Sequence, residues 1–450
     1  MTDTATDITG TDELLSDLRA WLHANWDPDL TVGEWWERLG LAGWAAPGLP
    51  TNAYGKAMAR ADAVLVQQEI SAFGALGAPA GLGLLLAAPT IATHGTQEQV
   101  DLYVRDIVTG RRAWCQLFSE PQAGSDLAGL QTRAVKDGDE WVVNGQKVWT
   151  SGGQIADYGM LLARTDPDVP KHQGISYFAF TMLQDGVEVR PLKEMTGHAL
   201  FNEVFITDAR VAGSALIGGV NNGWAAANTT LMNERAGLGS GGGNAAGGGV
   251  GAQPGTVLGH LARRVGDAVP PREQGARAAK RSKGSGGALR ALGGGAALLI
   301  NQARARGVDT DPGIRQDLAR LYTLGELGRM NGLRLKAVKE QGGDIPGMPN
   351  VAKLSMSQIV RLTRDLGLRI LGPAGMLHAY GDDDKDALKH ASGDPFAGGI
   401  TEMALFAQAP PIYGGTDQVQ RNIIGERVLG LPKEPNNDRV TPFSQLPKNA

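Results

Sequence analysis

The chain has 450 residues, 42% apolar and 20% charged, which is too long for one ordinary domain and enough to bury two or three cores. Its 43 Lys and Arg against 47 Asp and Glu give a net charge of -4, which argues against a dominant nucleic-acid role. One cysteine, Cys115, excludes an internal disulfide and a cysteine zinc cluster and suits a reducing cytoplasm; no apolar run reaches membrane-spanning length, because Pro89 breaks Leu82–Ile91, and the polar start Met1 to Asp12 does not read as a signal peptide.

Apolar residues at three- and four-residue spacing predict helices over Glu13–Trp26, Asn52–Phe73 and His94–Val108, with Pro47 and Pro50 marking a turn between the first two. From about Arg112 to Ile217 the texture turns to short strands. Asn144-Gly145, between the apolar runs of Trp141 to Trp149, predicts a hairpin. Further strands are expected over Tyr158–Ala163, Ile175–Met182, Val187–Pro191 and Asn202–Ile206. Helices return over Gly223–Gly237, Asp311–Gln341, Pro349–Ile370, Gly398–Gln408 and Thr416–Val428. The acidic run Asp382-Asp-Asp-Lys385 reads as a solvated loop.

Glycine is unevenly spread: of 64, 18 lie between Gly239 and Ile300. That window also holds eight Arg and Lys against Asp267 and Glu273, a local charge of +6. It buries little apolar surface per ordered residue, so a flexible loop insertion is expected. The alternative is a basic patch for an acidic partner or a CoA phosphate. The expected organisation is α+β and multidomain: a helical domain (1–111), a β-barrel-like domain (112–218), a helical bundle (219–238 with 301–435), the glycine-rich insertion (239–300) and a tail (436–450).

Three strings speak together. Phe118-Ser-Glu-Pro-Gln-Ala-Gly-Ser-Asp126, Asn144-Gly-Gln-Lys-Val-Trp-Thr-Ser-Gly152 and Ile412-Tyr-Gly-Gly-Thr-Asp-Gln-Val-Gln-Arg421 occur in this order. Together they resemble the acyl-CoA dehydrogenase family of flavoenzymes, over roughly Asp12 to Pro435 outside the glycine-rich window. The resemblance implies a helical domain, a β domain and a four-helix C-terminal domain. It also implies FAD, an acyl-CoA substrate, an electron-transfer flavoprotein as electron acceptor and a homo- or hetero-tetramer. In such chemistry a base takes the proton alpha to the thioester and a hydride leaves the beta carbon for the flavin.

By the same resemblance, Gln116, Phe118 and Ser119 pass along the flavin edge, and Gly124 and Ser125 meet flavin and substrate. Trp149, Thr150 and Ser151 cover the flavin face. Trp149 alone would read as core; the adjoining Thr-Ser-Gly reverses that. Thr416 and Gln418 match C-terminal FAD contacts, and Arg369 and Gly372 lie in a loop that reaches a neighbouring subunit's FAD. The usual base, a Glu directly after the motif Tyr, is Gly414 here. Some members instead carry the base on a helix just before an Arg, and Leu231-Met-Asn-Glu-Arg235 supplies Glu234 with Arg235 beside it. A lone Glu there would read as a surface carboxylate; the vacated base position selects it. Gly414 keeps an N–H for the thioester carbonyl and leaves room for a branched or bulky acyl group. The closing Gly425 to Glu434 resembles actinobacterial members that act on steroid side chains or other bulky acyl groups. His198 reads as a satisfied loop histidine, and His94, His378 and His390 lack metal-ligand spacing, so no metal site is expected. Two other readings stay open: a non-catalytic subunit of a heteromer, and an acyl-CoA oxidase-like flavoenzyme.

Overall fold

The computed structural model describes residues 4–239, 252–269, 295–435 and 438–447. The N-terminal helices are α1 (Thr4–Asn25), α2 (Val32–Leu41), α3 (Arg60–Phe73) and α4 (Ala88–His94), followed by helical turns through Val108. Helix α2 escapes the periodicity reading, yet Thr31-Val-Gly-Glu34 announces it: the Thr31 hydroxyl accepts from Glu34 N–H and the Glu34 carboxylate accepts from Thr31 N–H. Trp35 and Trp36 are buried and donate their indole N–H groups to Leu76 and Gly77 carbonyls, so each large ring packs with its one polar atom satisfied.

The middle domain is one eight-stranded sheet, in the order β6-β7-β3-β2-β4-β5-β8 with β1 on β4. Its strands are β1 (Trp114–Leu117), β2 (Arg133–Asp137), β3 (Glu140–Lys147), β4 (Tyr158–Arg164), β5 (Ile175–Thr181), β6 (Val187–Leu192), β7 (Phe201–Ala212) and β8 (Leu216–Ile217). Strands β4 and β5 are buried almost throughout, as near-continuous apolar runs should be when both faces are covered. The expected Asn-Gly hairpin is not there. Strand β3 runs straight through Asn144-Gly145, and the chain turns earlier, at Gly138 with φ +60°. Asn144 instead faces an extra residue in β7, where Asp208 takes φ +50°; the Asn144 side chain donates to the Asp208 carboxylate and accepts from the Asp208 backbone N–H. Gly145 is required by a close approach: a Cβ there would lie 2.7 Å from Thr132 Cα.

Helix α5 (Gly223–Gly239) leaves the sheet and packs on β5 and α4. Its first residue can approach only as glycine, since a Cβ on Gly223 would sit 2.6 Å from Ser176 Cα. The C-terminal bundle is α6 (Gly295–Ala305), α7 (Pro312–Glu340), α8 (Met348–Leu371), α9 (Asp382–Ser392), α10 (Ala397–Phe406) and α11 (Asp417–Ile423). The Asp382 run is therefore not a loop but the first turn of α9, where acidic residues complement the helix dipole.

The glycine-rich window also departs from expectation. Its outer parts, 240–251 and 270–294, lie outside the described residues. Between them, 252–269 is a packed strap. Arg263 and Leu30 carbonyls accept from Val32 and Val265 N–H at 2.8 Å, Pro28 O accepts from Gly266 N–H, and Ala252, Val265 and Ala268 are buried in the main core. The window's last residues begin α6. The tail is docked as well: Phe443 and Ser444 N–H donate to Val169 and Pro167 carbonyls, and Phe443 lies under the Arg164 guanidinium. No described helix is long and apolar enough to cross a membrane.

Val265 is fully buried, so Val265→Ala should lower the unfolding free energy by roughly 1–3 kcal/mol. A urea melt with no shift would mean that the strap does not share the core.

Candidate active site

Two of the three strings meet on one buried ion pair. Lys147, the last residue of β3, and Glu120, just past β1, are both almost solvent-free and 2.9 Å apart. The Lys147 ammonium also donates to Phe118 O, the Glu120 carboxylate accepts from Gln131 and Thr132 N–H, and Ser119 O accepts from Val148 N–H. Burial alone would raise the Glu120 carboxyl; the Lys147 charge and these donors outweigh it and hold it below the usual carboxylate range. Burial also pulls Lys147 down from the ordinary lysine range, against the attraction of Glu120.

This clamp aligns the loop 118–126 with Trp149–Ser151. Trp149 takes φ +61°, an uncommon state for a bulky residue, and the residue is 61% exposed, so it is not core. Thr150 is buried; its backbone exchanges hydrogen bonds with Asn202, while its hydroxyl and the Asn202 side-chain oxygen have no partner among the described residues. A presented aromatic face beside unpaired buried polar atoms suits a planar heterocycle such as a flavin. Gly124 and Ser125 lie exposed on the same loop, and nothing within 4 Å would meet a Cβ at Gly124. Phe118, by contrast, is core, edge-on to Tyr177.

Strand β1 brings in the third element. Gln116 reaches Glu234 on α5, at 3.5 Å. Helix α5 is anchored by Thr230 to Thr90 and Thr229 to His94, each at 2.8 Å, so Glu234 projects from a braced turn. The Arg235 side chain lies outside the described residues. Cys115, beside Gln116, is no rival base: burial pushes its thiol up to about 12.

The C-terminal string forms a turn with consecutive left-handed glycines, Gly414 at φ +63° and Gly415 at φ +82°. Gln420 donates to the Gly414 carbonyl at 2.8 Å and accepts from Asn350. Thr416 caps α11, Gln418 is exposed, and burial pushes the neighbouring Tyr413 up to about 12. Gly372, at φ +60°, ends α8; Arg369 in the last turn of α8 bonds Asp317 of its own chain at 2.6 Å. His198 bonds Glu402, bridging the middle domain to the bundle at 3.1 Å. Sequence reasoning missed Lys147, Glu120 and Gln420. Lys147 was legible, because it shares the inward phase of Trp141 and Val143; the buried partner was not.

The comparisons with known proteins agree with this anatomy. The chain matches the acyl-CoA dehydrogenase N-terminal domain over 11–111, the middle domain over 115–209 and the C-terminal domain over 281–429. It is 33% identical over 400 residues to the acyl-CoA dehydrogenase IpdE1 of Mycobacterium tuberculosis, covering 89% of this chain and 88% of that one. It is 47% identical over 203 residues to acyl-CoA dehydrogenase FadE34 of the same organism, covering 45% of this chain and 28% of that one. Among solved structures it resembles the Tcur3481-Tcur3483 steroid ACAD (TM-score 0.64, 26% identity, 95% of this chain and 98% of that one). It also resembles the ChsE4-ChsE5 complex from Mycobacterium tuberculosis (TM-score 0.61, 25% identity, 94% and 98%).

Glu120→Gln would leave the Lys147 ammonium buried without a counter-charge and should cost about 3–5 kcal/mol in a urea melt. The sign with pH follows from the lowered Glu120 carboxyl. The stability it contributes is complete above the ordinary carboxylate range and is lost as pH falls through its depressed value. Glu120→Gln should lack that acid limb; an unchanged acid profile would overturn the assignment. Three matched domains and a relative aligned along most of both chains make this protein a member of the acyl-CoA dehydrogenase family of oxidoreductases.

Proposed function

We propose that this chain is an FAD-dependent acyl-CoA dehydrogenase that forms trans-2-enoyl-CoA with Glu234 as the base for the alpha proton. The observation that carries the reading is the meeting of Gln116 and Glu234 in a chain whose usual base position is a glycine. Gln116 Nε2 donates toward the Glu234 carboxylate and orients it. Trp149 offers its ring to one flavin face, with Thr150 and Ser151 beside it. FAD, when bound, would supply the acceptor for the beta hydride, and an electron-transfer flavoprotein would take the electrons onward. Gly414 supplies a backbone N–H for the thioester carbonyl, and Arg235, Ser125 and Gly414 bound the substrate.

The acyl group is bulky or branched near its reacting carbons. Gly414 removes a side chain from that region, and the chain resembles the structure of a steroid ACAD. The protein works in the cytoplasm as a tetramer. A second reading, one subunit of a heteromer, is favoured by Arg369: it is engaged with Asp317 of its own chain, whereas the resemblance sends it to a neighbour's FAD.

Glu234→Gln keeps size but cannot take the proton. Single-turnover flavin bleaching by acyl-CoAs should slow about a hundred-fold or more while flavin stays bound. Near-normal bleaching would move the base elsewhere. Adding Gly414→Glu to Glu234→Ala should recover part of the rate, best with straight acyl chains. Recovery should stay incomplete, because φ +63° strains any residue with a Cβ. A double variant as slow as Glu234→Ala on every acyl-CoA would refute the exchanged-base argument. Purified alone, the chain should be yellow; a colourless chain that turns yellow only with a partner subunit would favour the heteromer.

A further inference from the structure

The strap 252–269 does more than fill a gap in the core. It descends onto a cavity whose walls include Leu82, Leu84, Trp114 and Ser151, and Gln253 and Pro254 complete the lining. Ser151 belongs to the string that faces the flavin by resemblance, so this cavity adjoins the reacting centre. Strand β1 gives it a direction. Trp114 and Gln116 lie two residues apart, hence on one face and about 7 Å from each other along the strand. Gln116 holds Glu234; Trp114 lines the cavity with the strap. The run from the base to Gln253 and Pro254 therefore follows the β1 face.

The strap's position there is built, not incidental. Asp157, buried next to β4, accepts from Ala113 N–H at 2.8 Å and so holds the start of β1. The same carboxylate accepts from Thr256 N–H at 3.2 Å and from the Thr256 hydroxyl. Gly255 N–H donates to Gly110 O at 2.8 Å, and Gly255 fits at φ +97° only because it lacks a Cβ, which would fall 2.6 Å from the Ala113 Cβ. Gln253 N–H donates to His260 Nδ1, which closes the strap's own turn. One carboxylate thus registers both the cavity's strand and its lid against each other.

We propose that Gln253 and Pro254 are specificity-determining residues, the wall that sets how large an acyl group the cavity accepts. This rests on the acyl-CoA reading above. A wall held by backbone and a buried carboxylate cannot retreat cheaply, so on the strap's side the limit of the cavity is set by those two side chains. In an apolar pocket a methylene's worth of space alters selectivity about 10- to 200-fold.

The test measures kcat/KM of the flavin-loaded protein for butyryl-, octanoyl-, isobutyryl- and a steroid side-chain acyl-CoA. Trimming the wall with Gln253→Ala and Pro254→Ala should move the ratio of bulky to slender acyl-CoA at least tenfold toward the bulky one. Filling it with Gln253→Phe should move the ratio the other way. Val257→Ser, on the exposed outer turn of the strap, should leave the ratio as in wild type. Opposite shifts from trimming and filling are not a consequence of general loosening, which would lower all substrates together. A wild type that bleaches with acyl-CoA, and whose ratio neither trimming nor filling moves, overturns the inference alone. If trimming costs flavin or fold, the filled variant decides by itself, and an unmoved ratio there also overturns the inference. A wild type that no acyl-CoA bleaches overturns the enzymatic reading and the inference with it.

Discussion

The buried pair of Lys147 and Glu120 is the constraint on which the candidate site depends. It joins the end of β3 to the loop after β1, the two stretches that carry the strings around Trp149 and Ser125. Its worth is positional more than energetic. Desolvating two charges offsets most of their attraction, so the pair contributes little net stability against an apolar replacement. What it does contribute is uniqueness: neither stretch can shift along its strand without stranding a charge in the core. The left-handed Trp149 is tolerable for the same reason, since its backbone is over-determined by Lys147 on one side and by Thr150 with Asn202 on the other.

Around that clamp the fold divides its labour. The sheet supplies rigid walls, and β1, lying parallel to β4, carries Trp114 and Gln116 on a single face. Helix α5 brings Glu234 across the domain boundary, braced by two threonine contacts to α4. A carboxylate on a helix approaches a substrate from a different backbone origin than one on the loop at Gly414. On the proposed reading, a base on the helix frees the loop, which holds a pair of left-handed glycines stiffened by Gln420. On that same reading, space near the reacting carbons and a rigid turn for the thioester carbonyl come from one change.

The strap shows how a glycine-rich stretch can be absorbed into a core. Lengthening a surface loop costs little chain entropy. Once a stretch inside it finds apolar cover and main-chain partners, it becomes part of the core. Val265 and Ala268 supply the cover, and residues 28–32 supply partners through an antiparallel bridge at Thr31 and Arg264. The glycines that lower the window's apparent content of structure include Gly255, whose freedom from a Cβ is what lets the strap close on Ala113.

The amino-acid sequence by itself determined the order of domains, the family and the residue types at the site. Those depend on local periodicity, turn chemistry and short strings, all of which are read along the chain. Helix placements such as α8 and α10 differ from expectation by only a residue or two at either end, because their apolar faces repeat at helical spacing. Tertiary structure decided whatever depends on a neighbour distant in the chain. Asn144-Gly145 has the composition of a turn, but a close Thr132 and the bulge at Asp208 make it strand. Asp382 to Lys385 has the composition of a loop, but it opens a helix. Residues 252–269 have the composition of a linker, yet Asp157 and the backbone of residues 28–32 hold them in place. Composition measures what a segment can do alone; burial and hydrogen-bond pairing with residues a hundred positions away decide what it does in the fold.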